Sequence, residues 1–179
     1  MAWTTPRDWV GGEFVTEAIM DTHVRDNLLA VGPHLVVRKT ADESVTSNIT
    51  VQADDVLILP VGVSEIWRFN LDLLVQGATA GDFRMNFTFP AGGTISYTVL
   101  SANSAGAVTA ELVASTTTPT AEKVFEPISA TIPSFIQVQG VYVNAGTGGN
   151  VTLQWAQGTS SGTATTVKAN STLWAVKLA

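Results

Sequence analysis

The sequence predicts a mainly β protein, with an N-terminal extended arm plus one helix over residues 1–34 and then a jelly-roll-like antiparallel β-sandwich over residues 35–179. Three observations carry that expectation. Apolar residues recur at helical spacing only before His34. From Leu35 onward, short β-branched and aromatic runs alternate with Gly, Asn, Ser and Thr at intervals of about ten residues. The longest of these runs keep a period of two, one face apolar and the other polar.

The arm opens Trp3-Thr4-Thr5-Pro6-Arg7-Asp8-Trp9-Val10-Gly11-Gly12. Two tryptophans, a proline and a glycine pair favour an irregular, extended segment carrying large apolar rings. Thr16 then has the side chain of a helix N-cap, Glu17 puts negative charge in the first turn, and Met20, Val24, Leu28 and Val31 recur along one face. Gly32 and Pro33 stop the helix, which covers about residues 16–31. Asp21 and Arg25 form an i,i+4 pair on the opposite face. About four turns of helix are marginal in water, so the apolar stripe needs a surface to lie against. The arm therefore reads as an anchor.

In the β-domain, Leu35 to Lys39, Ile49 to Gln52 and Val56 to Leu59 read as strands, and Pro60 with Gly62 turns the chain. Glu65 to Gln76 is the longest, with Trp67, Phe69, Leu71, Leu73 and Val75 on one face and Arg68, Asn70 and Asp72 on the other. Asp82 to Phe89 repeats the design, Phe83, Met85, Phe87 and Phe89 pointing inward. Ile95 to Leu100 follows, then Val108 to Val113 as an edge strand or part of a long loop. Val124 to Ile132, Phe135 to Val143, Val151 to Gln157 and Thr166 to Leu178 complete the series. Trp67, Phe69, Phe83, Phe87 and Trp174 are the expected core. Evenly spaced short strands in this number imply a two-sheet sandwich, of which the jelly roll is one variant.

Composition narrows the function. Charged residues make up 13% of the chain, about half the usual quarter, while 45% is hydrophobic. Such a surface must either be covered by Thr, Ser, Asn and Gly or hide apolar area in an oligomer or on a larger body, and the second is expected here. The net charge is −6 and the nine basic residues are scattered singly, which leaves no footprint for a phosphate backbone, so no nucleic acid partner is expected. The run Val56 to Val61, interrupted by Pro60, falls far short of the roughly 20 residues a membrane helix needs, so no membrane is expected either. There is no cysteine, hence no disulfide or thiolate site. No basic stretch followed by an apolar one opens the sequence, which argues against Sec-type export.

Chemistry-bearing groupings are sparse. The two histidines, His23 and His34, both lie in the arm, too few for a His-based triad or a closed zinc site. Asp54 and Asp55, with Asp42 and Glu43 near in sequence, offer oxygens to calcium but lack the loop spacing, and a solvated turn is the simpler reading. Asp72 and Asp82, with Arg68 and Arg84 beside them, read as cross-strand ion pairing rather than a glycosidase pair. Trp67, Trp155 and Trp174 could stack on sugars, but Trp67 is core by pattern. No enzyme activity, catalytic residue, cofactor or metal is expected.

The arm also carries a resemblance. Trp3 through Val10, Val15-Thr16 and Met20 to His23-Val24-Arg25-Asp26-Asn27-Leu28 resemble the N-terminus of small virion structural proteins of tailed bacteriophages. Val37 to Ser44 and Asp54 to Leu57 resemble the opening of a β-domain common among phage structural proteins. The resemblance covers about the first third of the chain and fits both head-surface proteins and minor tail or fibre proteins. It implies a non-enzymatic particle component, located in the virion and assembled in the host cytoplasm. It implies further that Trp3, Pro6, Trp9, Phe14, Met20, Val24 and Leu28 dock on the major capsid protein or another virion protein. A capsid decoration or cement protein, held as a homotrimer, is the leading expectation, and a host-contacting tail component with lectin-like binding is the alternative.

Overall fold

The computed structural model describes residues 4, 5, 7–30, 34–103, 106–127 and 129–179. The chain divides into two compact units, Met1–His34 and Leu35–Ala179. In the first, α1 (Glu17–Met20) and α2 (Asp26–Ala30) are joined without a break by a π-helical turn, Asp21–Arg25. Thr16 caps α1 by accepting from the Ile19 amide at 3.4 Å, and Arg25 pairs with Asp21 at 2.8 Å. Val31, Gly32 and Pro33, assigned above to the helix end, lie outside the described residues.

The strands run β1 (His34–Arg38), β2 (Glu43–Val45), β3 (Gln52–Val61), β4 (Ile66–Gln76), β5 (Phe83–Thr88), β6 (Thr94–Ala102), β7 (Val108–Ser115), β8 (Lys123–Phe125), β9 (Ser134–Val143), β10 (Gly149–Ala156), β11 (Thr165–Val167) and β12 (Thr172–Lys177). They form two sheets. The larger has the order β1-β12-β4-β9-β6-β7, with β11 bridging β4 and β2, and the smaller has the order β3-β10-β5-β8. Eight strands pair as one folded-over hairpin: β6 with β7, β5 with β8, β4 with β9 and β3 with β10, all antiparallel. Taken from the innermost pair outward, these alternate between the larger and the smaller sheet. That alternation is the jelly-roll topology. β12 and β1 then extend the larger sheet beyond β4.

Period-two patterning explains which faces meet. On β4, Trp67, Phe69, Leu71, Leu73 and Val75 are buried, and they face Phe83, Met85, Phe87, Leu153 and Trp155 of the smaller sheet within one core cluster. Phe87 sits at its centre, edge-on to Phe69 at 5.9 Å and to Tyr97 at 5.0 Å. Gly140 on β9 lies in register between Phe69 and Tyr97, where an added Cβ would come within 2.8 Å of the Phe69 ring and 2.6 Å of the Ser96 carbonyl. Only glycine fits the crowded middle of that strand.

Several expectations need correction. Trp174 is not core: it lies opposite Asn70 on the outer face of the larger sheet and is 36% exposed. Thr166 to Leu178 is two strands, because Asn170 takes a positive φ of 72° and turns the chain between β11 and β12. Asp72 and Asp82 do not neighbour each other across strands, since β4 and β5 belong to different sheets; Asp72 accepts from Gln137 and Arg84 pairs with Glu122. β8 is only three residues long. β7 is an edge strand, and Trp155 is fully buried, tilted against Phe83 at 6.0 Å.

Removing the Phe87 ring should therefore cost much more than removing the Trp174 ring, although both aromatics sit in strands. Urea unfolding of Phe87→Ala should show a loss of about 3–5 kcal/mol. Trp174→Ala should lose about 1 kcal/mol or less.

Candidate functional site

The first candidate is the arm itself. Among the described residues, Asn27 ties its extended part to the helix: 6% exposed, it accepts from the Thr4 amide at 2.9 Å and donates to the Thr4 carbonyl at 3.0 Å. Asn27 thus offers the Thr4 backbone the donor and acceptor that a paired strand would. Arg7 pairs with Glu13 and lies over the Trp9 ring at 5.7 Å. These polar contacts shape the arm and leave its apolar groups outside. Phe14 is 89% exposed, Val10 70% and Leu28 69%, with Trp9, Val15, Met20 and Val24 also exposed. Trp3 and Pro6 lie outside the described residues.

The second candidate is a cluster that the sequence reading dissolved into a solvated turn. Asp54 is fully buried, not solvated. Its Oδ2 accepts from Lys39 Nζ at 2.8 Å, while its Oδ1 accepts from the Val56 and Leu57 amides at 3.0 and 2.8 Å. Lys39, 1% exposed, also donates to Glu43 Oε2 at 2.6 Å, and Gln52 holds Glu43 Oε1 at 2.9 Å. Burial disfavours the Lys39 ammonium, but the Asp54 and Glu43 carboxylates outweigh it and hold its pKa above the ordinary lysine value. The available signal was the spacing: a lysine ending one strand, a glutamate four residues on, and an aspartate three residues before the buried Leu57.

Other charged groups serve the frame. Glu65 accepts from Lys177 at 2.8 Å, the Gly62 amide at 2.6 Å and Trp67 Nε1 at 2.9 Å. Those partners, Lys177 first, bring its pKa down to about 2. Asp82 moves the other way, raised chiefly by burial and then by Glu126. Trp67 is buried with its ring nitrogen committed to Glu65, and Trp155 is enclosed, so neither presents a face to a sugar. Among the described residues no group of three or more His, Asp or Glu side chains is placed to hold a metal ion. Nor is any helix among them long and apolar enough to cross a membrane.

No family model matches the sequence, and no curated protein matches it. Among solved structures, the VP2 subviral particle of infectious bursal disease virus is 12% identical, with 81% of this chain and 40% of that chain covered and a TM-score of 0.23. The structure of the Gt strain of the same virus is 10% identical, with coverages of 82% and 37% and a TM-score of 0.20. The chain spans about two fifths of the length of those chains. The jelly-roll assignment rests on the strand pairing described above.

Two outcomes follow. Lys39→Met leaves Asp54 buried without its counter-charge, and denaturant melts should show a loss of about 3–5 kcal/mol, whereas Lys168→Ala at the exposed Asp42 pair should leave the midpoint nearly unchanged. Glu65 has a folded pKa of about 2 against 4.5 unperturbed, so its contribution is fully present above pH 4.5 and is lost as pH falls toward 2. Stability curves of Glu65→Gln should be flatter than wild type across that window.

Proposed function

We propose that this chain is a non-enzymatic structural component of a tailed-bacteriophage particle, attached through its arm, and that it acts as a decoration or cement protein of the head. The observation that carries this reading is the exposed apolar surface of the arm, Trp9, Val10, Phe14, Met20, Val24 and Leu28. An isolated chain gains nothing from presenting such groups to water, whereas a partner surface gains about 1.5–3 kcal/mol for each one it buries. The phage-type motif across Arg25-Asp26-Asn27-Leu28 points the same way, and Asn27 gives it a physical meaning: it shapes the arm for docking.

The partner is the major capsid protein or another virion protein. A homotrimer fits the arrangement, since three arms on one body give avidity without tight single contacts. Loops at 77–81, 145–149 and 158–163 carry small, nearly uncharged residues rather than the aromatics, arginines or metals that build binding hot spots, which favours a stabilising role over a host-contacting one.

Deleting residues 2–34 tests attachment. The remaining jelly roll should still unfold cooperatively, and particles should lose the protein; retention at normal copy number would end the proposal. Particles lacking the whole protein should adsorb to host cells at near-normal rates yet break more readily on heating. Collapse of adsorption with unchanged head stability would assign the chain to the tail instead.

A further inference from the structure

We propose that Lys39 and Asp54 condense to an intramolecular isopeptide bond, with Glu43 as the proton carrier. The attachment reading makes no use of this cluster, and the proposal stands apart from it. A nucleophile, an electrophile, a base and an oxyanion site are all present in one buried place. Lys39 Nζ lies 2.8 Å from Asp54 Oδ2, one C–O bond from the Cγ it would attack. Glu43 Oε2 is 2.6 Å from the same nitrogen, within reach for general-base transfer, and Gln52 fixes the other Glu43 oxygen. Asp54 Oδ1 already accepts the Val56 and Leu57 amides, two donors aimed at the oxygen that takes negative charge on attack. The two Asp54 oxygens are therefore sorted by their surroundings: Oδ1 is held by two amides as a carbonyl oxygen, and Oδ2 faces the Lys39 amine as the leaving group.

The reaction balances without any co-reactant. A proton passes from the Lys39 ammonium to Asp54 Oδ2 along the hydrogen bond they share, which leaves a neutral amine beside a neutral acid. The amine lone pair forms the Nζ–Cγ bond, and the Cγ–Oδ1 π pair moves onto Oδ1 under the Val56 and Leu57 amides. Glu43 takes a second proton from Nζ. The Oδ1 pair returns, the Cγ–Oδ2 bond breaks, and the departing hydroxide recovers that proton from Glu43 and leaves as one water. Nζ keeps one hydrogen as an amide N–H, and Glu43 ends as the carboxylate it began as.

The surroundings favour the product. Lys39 is 1% exposed and Asp54 is fully buried, so the ion pair bears a desolvation cost that a neutral amide does not, and water is excluded from the site that would reverse the step. The Lys39 backbone is clamped as well, its amide donating to the Ser171 carbonyl at 2.9 Å and its carbonyl accepting from the Asn170 amide at 2.8 Å, so the nucleophile is held in place. In a chain without cysteine, the bond would tie the segment that follows the arm to the first strand of the jelly-roll hairpin.

The test is intact mass spectrometry of the purified full-length protein under denaturing conditions. The expected mass is one water below that of the sequence. Trypsin should fail to cut after Lys39 and should release residues 39–68 as one peptide, also one water light, with no backbone fragments between positions 39 and 54. Glu43→Gln and Lys39→Arg should each restore the full sequence mass. A wild-type protein at full mass that is cut after Lys39 overturns the proposal, as does a water loss that maps to other residues. A Glu43→Gln protein still one water short overturns the role given to Glu43. The wild-type measurement does not depend on either variant folding.

Discussion

The buried contact between Lys39 and Asp54 is the point on which the architecture turns. Lys39 leaves β1 with its backbone bonded to the Asn170-Ser171 turn at the head of β12, and its side chain reaches Glu43 in β2 and Asp54 in β3. One residue thereby links the strands added to the larger sheet with the edge strand of the smaller one. As an ion pair, before any bond forms between them, the two are a poor source of net stability, because removing two charges from water costs about what their attraction returns. The value of the pair lies in specificity: a lysine and an aspartate inside a core tolerate one arrangement of the chain around them.

The rest of the jelly roll follows from simpler physics. Two sheets bury their inner faces, so each central strand must alternate, and β4 and β9 do so, while β5 turns Phe83, Met85 and Phe87 inward and buries Asn86 as well. Nested pairing brings distant segments together, as when Ile66 meets Val143 at one end of β4 and β9. Their register is set by the apolar pattern, since a one-residue slip would turn every inward side chain outward.

This explains what was legible in the sequence. The two-sheet plan and the inner faces of β4 and β5 could be read because they depend on period-two alternation alone. Trp174 was misread because Leu173 and Ala175, not the larger ring between them, point inward; alternation fixes the phase only when the apolar and polar residues are cleanly sorted, and β12 mixes them. The Asp54 cluster was missed because an aspartate pair in sequence looks like a wet turn, and nothing local reveals that a lysine fifteen residues earlier folds over it. In the arm, the helical stripe was visible, but the Asn27 clamp and the π-helical turn depend on packing and backbone geometry that spacing does not encode.

A polar-clamped jelly roll is joined in one chain to an arm whose described apolar side chains are exposed, and the interface proposed above is made by the arm rather than by the β-sandwich. Hydrogen–deuterium exchange of the protein on intact particles, compared with the free protein, separates the two. Strong new protection is expected across residues 7–30, with little change through the central strands and outer loops of the jelly roll. New protection confined to the sandwich, with the arm exchanging as fast as in the free protein, would contradict it.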